Sequence, residues 1–205
     1  MIAPTFLTPL GLEAAAVRRC VRSATIERVG MGPAKAAASC ARIARSAAPT
    51  APLVLLGLGG GLVAGGRPGD VIVGSSLQLL GSDDAIELRD ADRITSALHA
   101  AGIVARAAPI VSSPRIVHGA AARAAAASRG AAVVDMESYW CAPLAAAHAF
   151  SVCRVLCDVP GQDLWSLRTP PAIWRALRVI GAVARTVHGL YPSIVEPRSS
   201  EEADL

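Results

Sequence analysis

The sequence is poor in aromatic residues, 3% of its 205 positions, and has a single lysine, Lys35. With so few rings, the interior must be built from Ala, Val, Leu and Ile within a 53% hydrophobic composition. The heavy use of Ala suits tightly packed helices. Blocks of basic residues are missing: the cations are scattered arginines and the formal charge is +4. That excludes an obvious nucleic-acid stripe, and no nucleic-acid partner is expected. Zinc spacing is missing as well. The cysteines stand at 20, 40, 141, 153 and 157, an odd count with no second pair to match Cys153 and Cys157. They are expected to be reduced, buried thiols in a cytoplasmic protein, with no metal site and no cofactor. The start, MIAPTFLTPLGLE, has neither a charged n-region nor a long apolar run, which argues against a signal peptide. The longest apolar stretch, 51–66, is glycine-rich and short for a membrane span.

What is present is an alternation of short apolar runs and helical patterns. Residues 5–8, 25–30, 51–57, 69–80, 103–113, 131–135 and 151–158 read as strands. Residues 12–21, 32–47, 90–102, 116–130, 136–149 and 170–191 read as helices. Such alternation predicts an α/β fold, a single domain over 1–195 with a mixed sheet between helical layers, and a polar tail over 196–205. The last helix carries an apolar stripe at Ile173, Leu177, Ile180, Ala184, Val187 and Tyr191, with arginines off it. A helix packed on the sheet explains this; contact with a membrane surface is the alternative. The loop 159–172 has the length and the Pro and Gly content of a lid over a site, and Trp140, Trp165 and Trp174 are candidates for an apolar opening.

In sheets of this kind ligands bind at the carboxyl ends of strands. Acids and glycines gather at those ends. GLGGGLVAGGRPGD (57–70) fails as a dinucleotide fingerprint, because Leu62 stands where a third glycine is needed. Three consecutive glycines are costly in backbone entropy, and they let a flat ligand approach the chain; a glycine-lined turn is the plainer explanation. Asp158 ends the apolar strand SVCRVLCD and suits a proton donor in a dry cleft, or a salt bridge to Arg154 or Arg168. Glu13 opens a helix, where the helix dipole alone favours an acid. AAVVDMESYW places Asp135 and Glu137 between a buried strand and a helix, and acids there need partners.

The order of Glu13, GMGPAKAA (30–37), LGLGGGL (56–62), VVDMES (133–138) and Asp158 resembles the nucleoside phosphorylase/nucleosidase superfamily. It is most similar to the methylthioadenosine/S-adenosylhomocysteine nucleosidase branch and, within it, to the hopanoid-associated phosphorylase subgroup. The resemblance implies a three-layer α/β/α fold and cleavage of the N-ribosidic bond of an adenine nucleoside. By that likeness Glu13 activates water, Asp158 protonates the purine, and Glu137 holds the ribose hydroxyls with Met136 packed beside it. Gly59, Gly60 and Gly61 line the base and ribose pocket, and Asp135 has a supporting role. The subgroup implies a lipid-linked nucleoside, adenosylhopane, as substrate, and the family a homo-oligomer. Hydrolysis is preferred, because LGLEAAAVRR offers a water-activating acid and no phosphate-binding arginine: Arg18 and Arg19 read as solvated. A phosphate-dependent phosphorylase, or a nucleoside-binding member without catalysis, are the alternatives. SSPRIV (112–117) has no aromatic where the nucleosidases stack adenine.

Overall fold

Strand β1 (Thr5–Thr8) runs parallel to both β2 (Thr25–Arg28) and β3 (Leu53–Gly61). Each connection is long enough for a helix: α1 (Gly11–Cys20) leads from β1 to β2, and α2 (Pro33–Ser46) follows β2. Pro33 stands at the first helical position of α2, where its missing N–H has no partner to lose. These coordinates are a computed structural model that describes residues 2–46, 51–160 and 169–191. The expected lid falls largely, and the tail over 196–205 wholly, outside the described residues.

The remaining strands are β4 (Val71–Leu79), β5 (Ala85–Glu87), β6 (Ala105–Ser112), β7 (Val133–Asp135) and β8 (Phe150–Asp158). Helices α3 (Ala91–Ala100), α4 (Gly119–Ala127), α5 (Ser138–Cys141) and α6 (Thr169–Gly189) join or follow them. The sheet is mixed. β3 pairs parallel with β8, β4 with β6, and β6 with β7, while β4 runs antiparallel to β5 and β8, and β3 to β7. β3, β8, β4, β6 and β7 thereby close a ring of hydrogen-bonded strands, with β1, β2 and β5 outside it.

Two apolar cores lie against this sheet. One joins α1, α3 and α6 to Val54, Leu56, Val71, Val73, Cys153 and Val155. The stripe predicted on the last helix belongs to it: Ile180, Ala184 and Val187 are sealed. The other core places α2 and α5 against Leu53, Leu55, Ile72, Val152 and Leu156. Consecutive residues of β3 and β8 thus serve opposite cores, as the two-residue period of a strand requires. The expected three-layer arrangement with a mixed sheet is present.

Three details differ from the sequence reading. β3 does not stop at Gly57 but continues as a strand through Gly61. β5 is absent from it, being a mostly exposed strand of three residues with little pattern to detect. The helix expected over 136–149 is one turn of α-helix, Ser138–Cys141, followed by a 3-10 turn, Ala142–Ala146. Pro143 explains this, since it has no N–H to continue the α-helical hydrogen bonds and stands at the start of the 3-10 turn.

Candidate active site

Five strand ends converge on one cavity of about 230 Å³. Its lining includes Pro9 and Leu10 after β1, Leu58 to Gly60 from β3, and Arg115 to Val117 after β6. Asp135, Met136 and Glu137 come from the end of β7, and Cys157 and Asp158 from the end of β8. Glu13 and Arg123 reach it from α1 and α4. The expected residues Glu13, Asp158, Gly59, Gly60, Met136 and Glu137 are therefore together; Gly61 is not part of the lining.

Glu13 sits in the first turn of α1 and is 1% exposed. It accepts hydrogen bonds from the backbone N–H of Leu10 at 2.7 Å and of Leu58 at 2.8 Å. One carboxyl thus fastens the start of the helix to the middle of β3. Burial pushes its pKa up to about 7, against the opposing pull of those N–H groups and of Arg154. A carboxyl that titrates near neutrality suits a base that takes and releases a proton.

The acids of VVDMES meet Arg154, whose side chain is 0% exposed. Its Nε donates to Oδ2 of Asp135 at 2.7 Å, and its Nη2 lies 3.4 Å from Oε2 of Glu137. Asp135 also accepts from Ser112 Oγ at 2.5 Å, from the Ser138 hydroxyl, and from the backbone N–H of Glu137 and Ser138. Its oxygens are filled, which fits a supporting role. Glu137 accepts from the N–H of Gly32 at 2.9 Å through Oε1. Burial raises the Glu137 pKa, and Arg154 opposes that rise. Among the described residues, Nη1 of Arg154 has no hydrogen-bond partner.

Gly57 explains how Arg154 and Glu13 come so close. A Cβ there would stand 2.6 Å from Nη1 of Arg154 and 2.9 Å from Oε1 of Glu13. A Cβ on Gly59 would meet Val133 at 2.5 Å, and one on Gly61 the carbonyl of Asp158 at 2.9 Å. The glycine run is required first by the protein's own packing across β3. Gly60 differs: its nearest neighbour would be Oδ1 of Asp158, at 3.1 Å, beside the cavity.

Asp158 is paired with Arg123, not with Arg154. Nη2 of Arg123 contacts Oδ2 at 2.5 Å, and its Nη1 lies 3.5 Å from Oδ1. The cause is a bulge. Gly59 of β3 pairs with Leu156 but Gly60 pairs with Asp158, so β8 carries one extra residue there. A bulge breaks the alternation of faces and re-aims the side chain that follows. Arg123 and Arg154 were not anticipated as site residues. Arg123 is the lone charge of GAAARAAAA and Arg154 the lone cation of SVCRVLCD, and a buried charge requires a partner.

Other expectations land elsewhere. Arg18 and Arg19 are exposed on α1 and absent from the cavity lining. Trp140 packs into the core under α2 and α5, and Trp174 is 65% exposed beside a groove between α1 and α6. Trp165 lies outside the described residues. Cys40, Cys141, Cys153 and Cys157 are free and buried, and Cys20 is free and partly buried. Burial pushes the Cys157 thiol, which faces the cavity, up to about 12. Among the described residues no helix is long and apolar enough to cross a membrane, and no cluster of His, Cys, Asp and Glu is placed to hold a metal.

The sequence matches no protein-family model and no curated protein sequence. Solved structures do match. A 5′-methylthioadenosine/S-adenosylhomocysteine nucleosidase from Neisseria meningitidis, in complex with methylthio-immucillin-A, superposes with a TM-score of 0.74 at 17% identity, covering 91% of this chain and 96% of that one. The Campylobacter jejuni nucleosidase of the same kind gives 0.78 at 13% identity, over 93% and 98%. Futalosine hydrolase of Helicobacter pylori gives 0.75 at 14% identity, over 93% and 99%. The chain shares the fold of these nucleosidases and of this hydrolase.

Proposed function

We propose that this protein cleaves the N-ribosidic bond of a purine nucleoside, releasing adenine, with water as the acceptor. The observation that carries this reading is the meeting of Glu13 from α1, Glu137 from the segment after β7 and Asp158 from the end of β8 around one cavity. As the bond to N9 breaks, its electron pair leaves with the base and positive charge builds on the ribose. Glu137, fixed by Gly32 and Arg154, accepts hydrogen bonds from the ribose hydroxyls and stabilises that charge. Glu13 takes the proton of the attacking water, whose oxygen bonds to the anomeric carbon. Asp158 faces the purine edge; its Oδ1, which the ion pair with Arg123 leaves free, takes up a proton from solvent before the bond breaks and delivers it to the base, so that adenine leaves neutral. Ile116 and Val117 offer the base an apolar surface in place of an aromatic ring.

A larger cleft of about 770 Å³ shares Ile116 and Val117 with the cavity and runs between α4 and the β4–β5 turn. It supports a nucleoside with a bulky apolar 5′ substituent, such as lipid-linked adenosylhopane. Phosphorolysis is the second reading, favoured by Arg115, which lines the cavity and has no acidic partner among the described residues. Adenine release from adenosine, methylthioadenosine and a 5′-alkyl adenosine, each with and without phosphate, tests both readings. Release without phosphate, fastest with the alkyl substrate, is expected. Release only with phosphate favours the second reading, and release from none contradicts both.

A further inference from the structure

Asp158 shares its end of the cavity with Arg123, the only charged residue of α4, a helix otherwise made of glycine and alanine. Burying a guanidinium in such surroundings is unfavourable unless it is paired and its N–H groups are used. Here they are used in an unequal way. Nη2 contacts Oδ2 of Asp158 at 2.5 Å, while Nη1 donates to the backbone carbonyl of Gly61 at 2.8 Å and stays 3.5 Å from Oδ1. The bond to Gly61 anchors the guanidinium on β3, so the carboxyl it grips has a fixed orientation. Oδ2 is taken up. Oδ1 is the oxygen with spare hydrogen-bonding capacity, and it lies against Gly60 at the cavity wall, where the absence of a side chain leaves room for it.

We infer that Arg123 is a positioning residue for departure of the base: it holds Oδ1 of Asp158 toward the purine edge and acts on the reaction through that oxygen. The inference rests on the nucleosidase reading above. It makes a distinction that a merely structural ion pair does not. Help from Asp158 matters for a poor leaving group such as adenine and little for a leaving group that departs unaided. Lysine in place of arginine carries the charge but lacks the planar fork that reaches Asp158 and Gly61 together.

The test compares wild type, Arg123→Gln, Arg123→Lys, Asp158→Asn and the Arg123→Gln/Asp158→Asn double variant. The substrates are methylthioadenosine, adenosine and p-nitrophenyl β-D-ribofuranoside. For Arg123→Gln, kcat on the adenine nucleosides should fall roughly 100-fold, with KM changed less. The fall on the nitrophenyl riboside should be about ten-fold smaller or less, because little proton transfer is needed there. Arg123→Lys should recover part of the loss. The double variant should be no slower than Asp158→Asn beyond a few-fold, since both changes act through one oxygen. Equal losses on both kinds of substrate, or losses that multiply in the double variant, would overturn the inference. If Arg123→Gln does not fold, Arg123→Lys must still show the larger loss on adenine nucleosides, and an even loss refutes it. Wild type that cleaves neither kind of substrate removes the nucleosidase reading, and this inference with it.

Discussion

Nε of Arg154 donates to Oδ2 of Asp135 at 2.7 Å in a place closed to solvent, and the same guanidinium reaches Glu137. One cation on β8 thereby compensates the two acids that end β7. Replacing it with methionine leaves both carboxylates buried and unpaired. Arg154→Met should destabilise the protein by about 3–5 kcal/mol, measured by urea unfolding at neutral pH. A loss below about 1 kcal/mol would mean that the acids do not depend on Arg154.

Glu13 makes stability depend on pH in a defined direction. Its pKa rises from the ordinary 4.5 to about 7 on folding, chiefly through burial. A group whose folded pKa is the higher one favours the folded state fully below its unfolded value, and that contribution is lost as pH rises through the folded value. The rise corresponds to roughly 3 kcal/mol. Wild type should therefore lose stability between about pH 4.5 and 7 relative to Glu13→Gln, as followed by urea unfolding across that range. Parallel curves for the two proteins would show that Glu13 does not titrate there.

The same pKa shapes the reaction. With Glu13 as the base for water, kcat/KM on an adenine nucleoside should climb with pH through about 7 and then level off. Glu13→Gln should lower kcat by about 10²–10⁴-fold and abolish that limb. An acid limb that survives in the variant would assign it to another group.

Gly57 separates Arg154 from Glu13, and alanine there would bring a methyl group to 2.6 Å from the one and 2.9 Å from the other. Gly57→Ala should cost about 1–3 kcal/mol of stability and most of the activity, because both side chains belong to the site. Gly60→Ala, with its closest approach of 3.1 Å to a carboxyl oxygen, should be better tolerated in stability. Thermal unfolding of the two variants beside wild type checks the order; a reversed order would contradict the packing described here.

The layered α/β fold was legible because apolar runs and helical periods alternate without ambiguity, from TFLT at β1 to the stripe on α6. The acids of the site were legible because each stands at a strand or helix terminus, where a carboxyl in an apolar setting needs a reason. Their partners were not. Arg123 and Asp158 are 35 positions apart, Arg154 and Asp135 19, and only the closed ring of strands and the bulge in β8 bring them together. Pairings of that kind depend on register, which periodicity leaves open. β5 and the early end of α5 were lost to weak patterning and to Pro143.

Under the proposed function, Glu13, Glu137 and Asp158 act together on an N-ribosidic bond. The most direct measurement is adenine release from methylthioadenosine in phosphate-free buffer, by wild type and Glu137→Gln side by side. Release by wild type, slower by about 100-fold or more in the variant, is expected. No release by folded wild type, or equal release by both proteins, would contradict it.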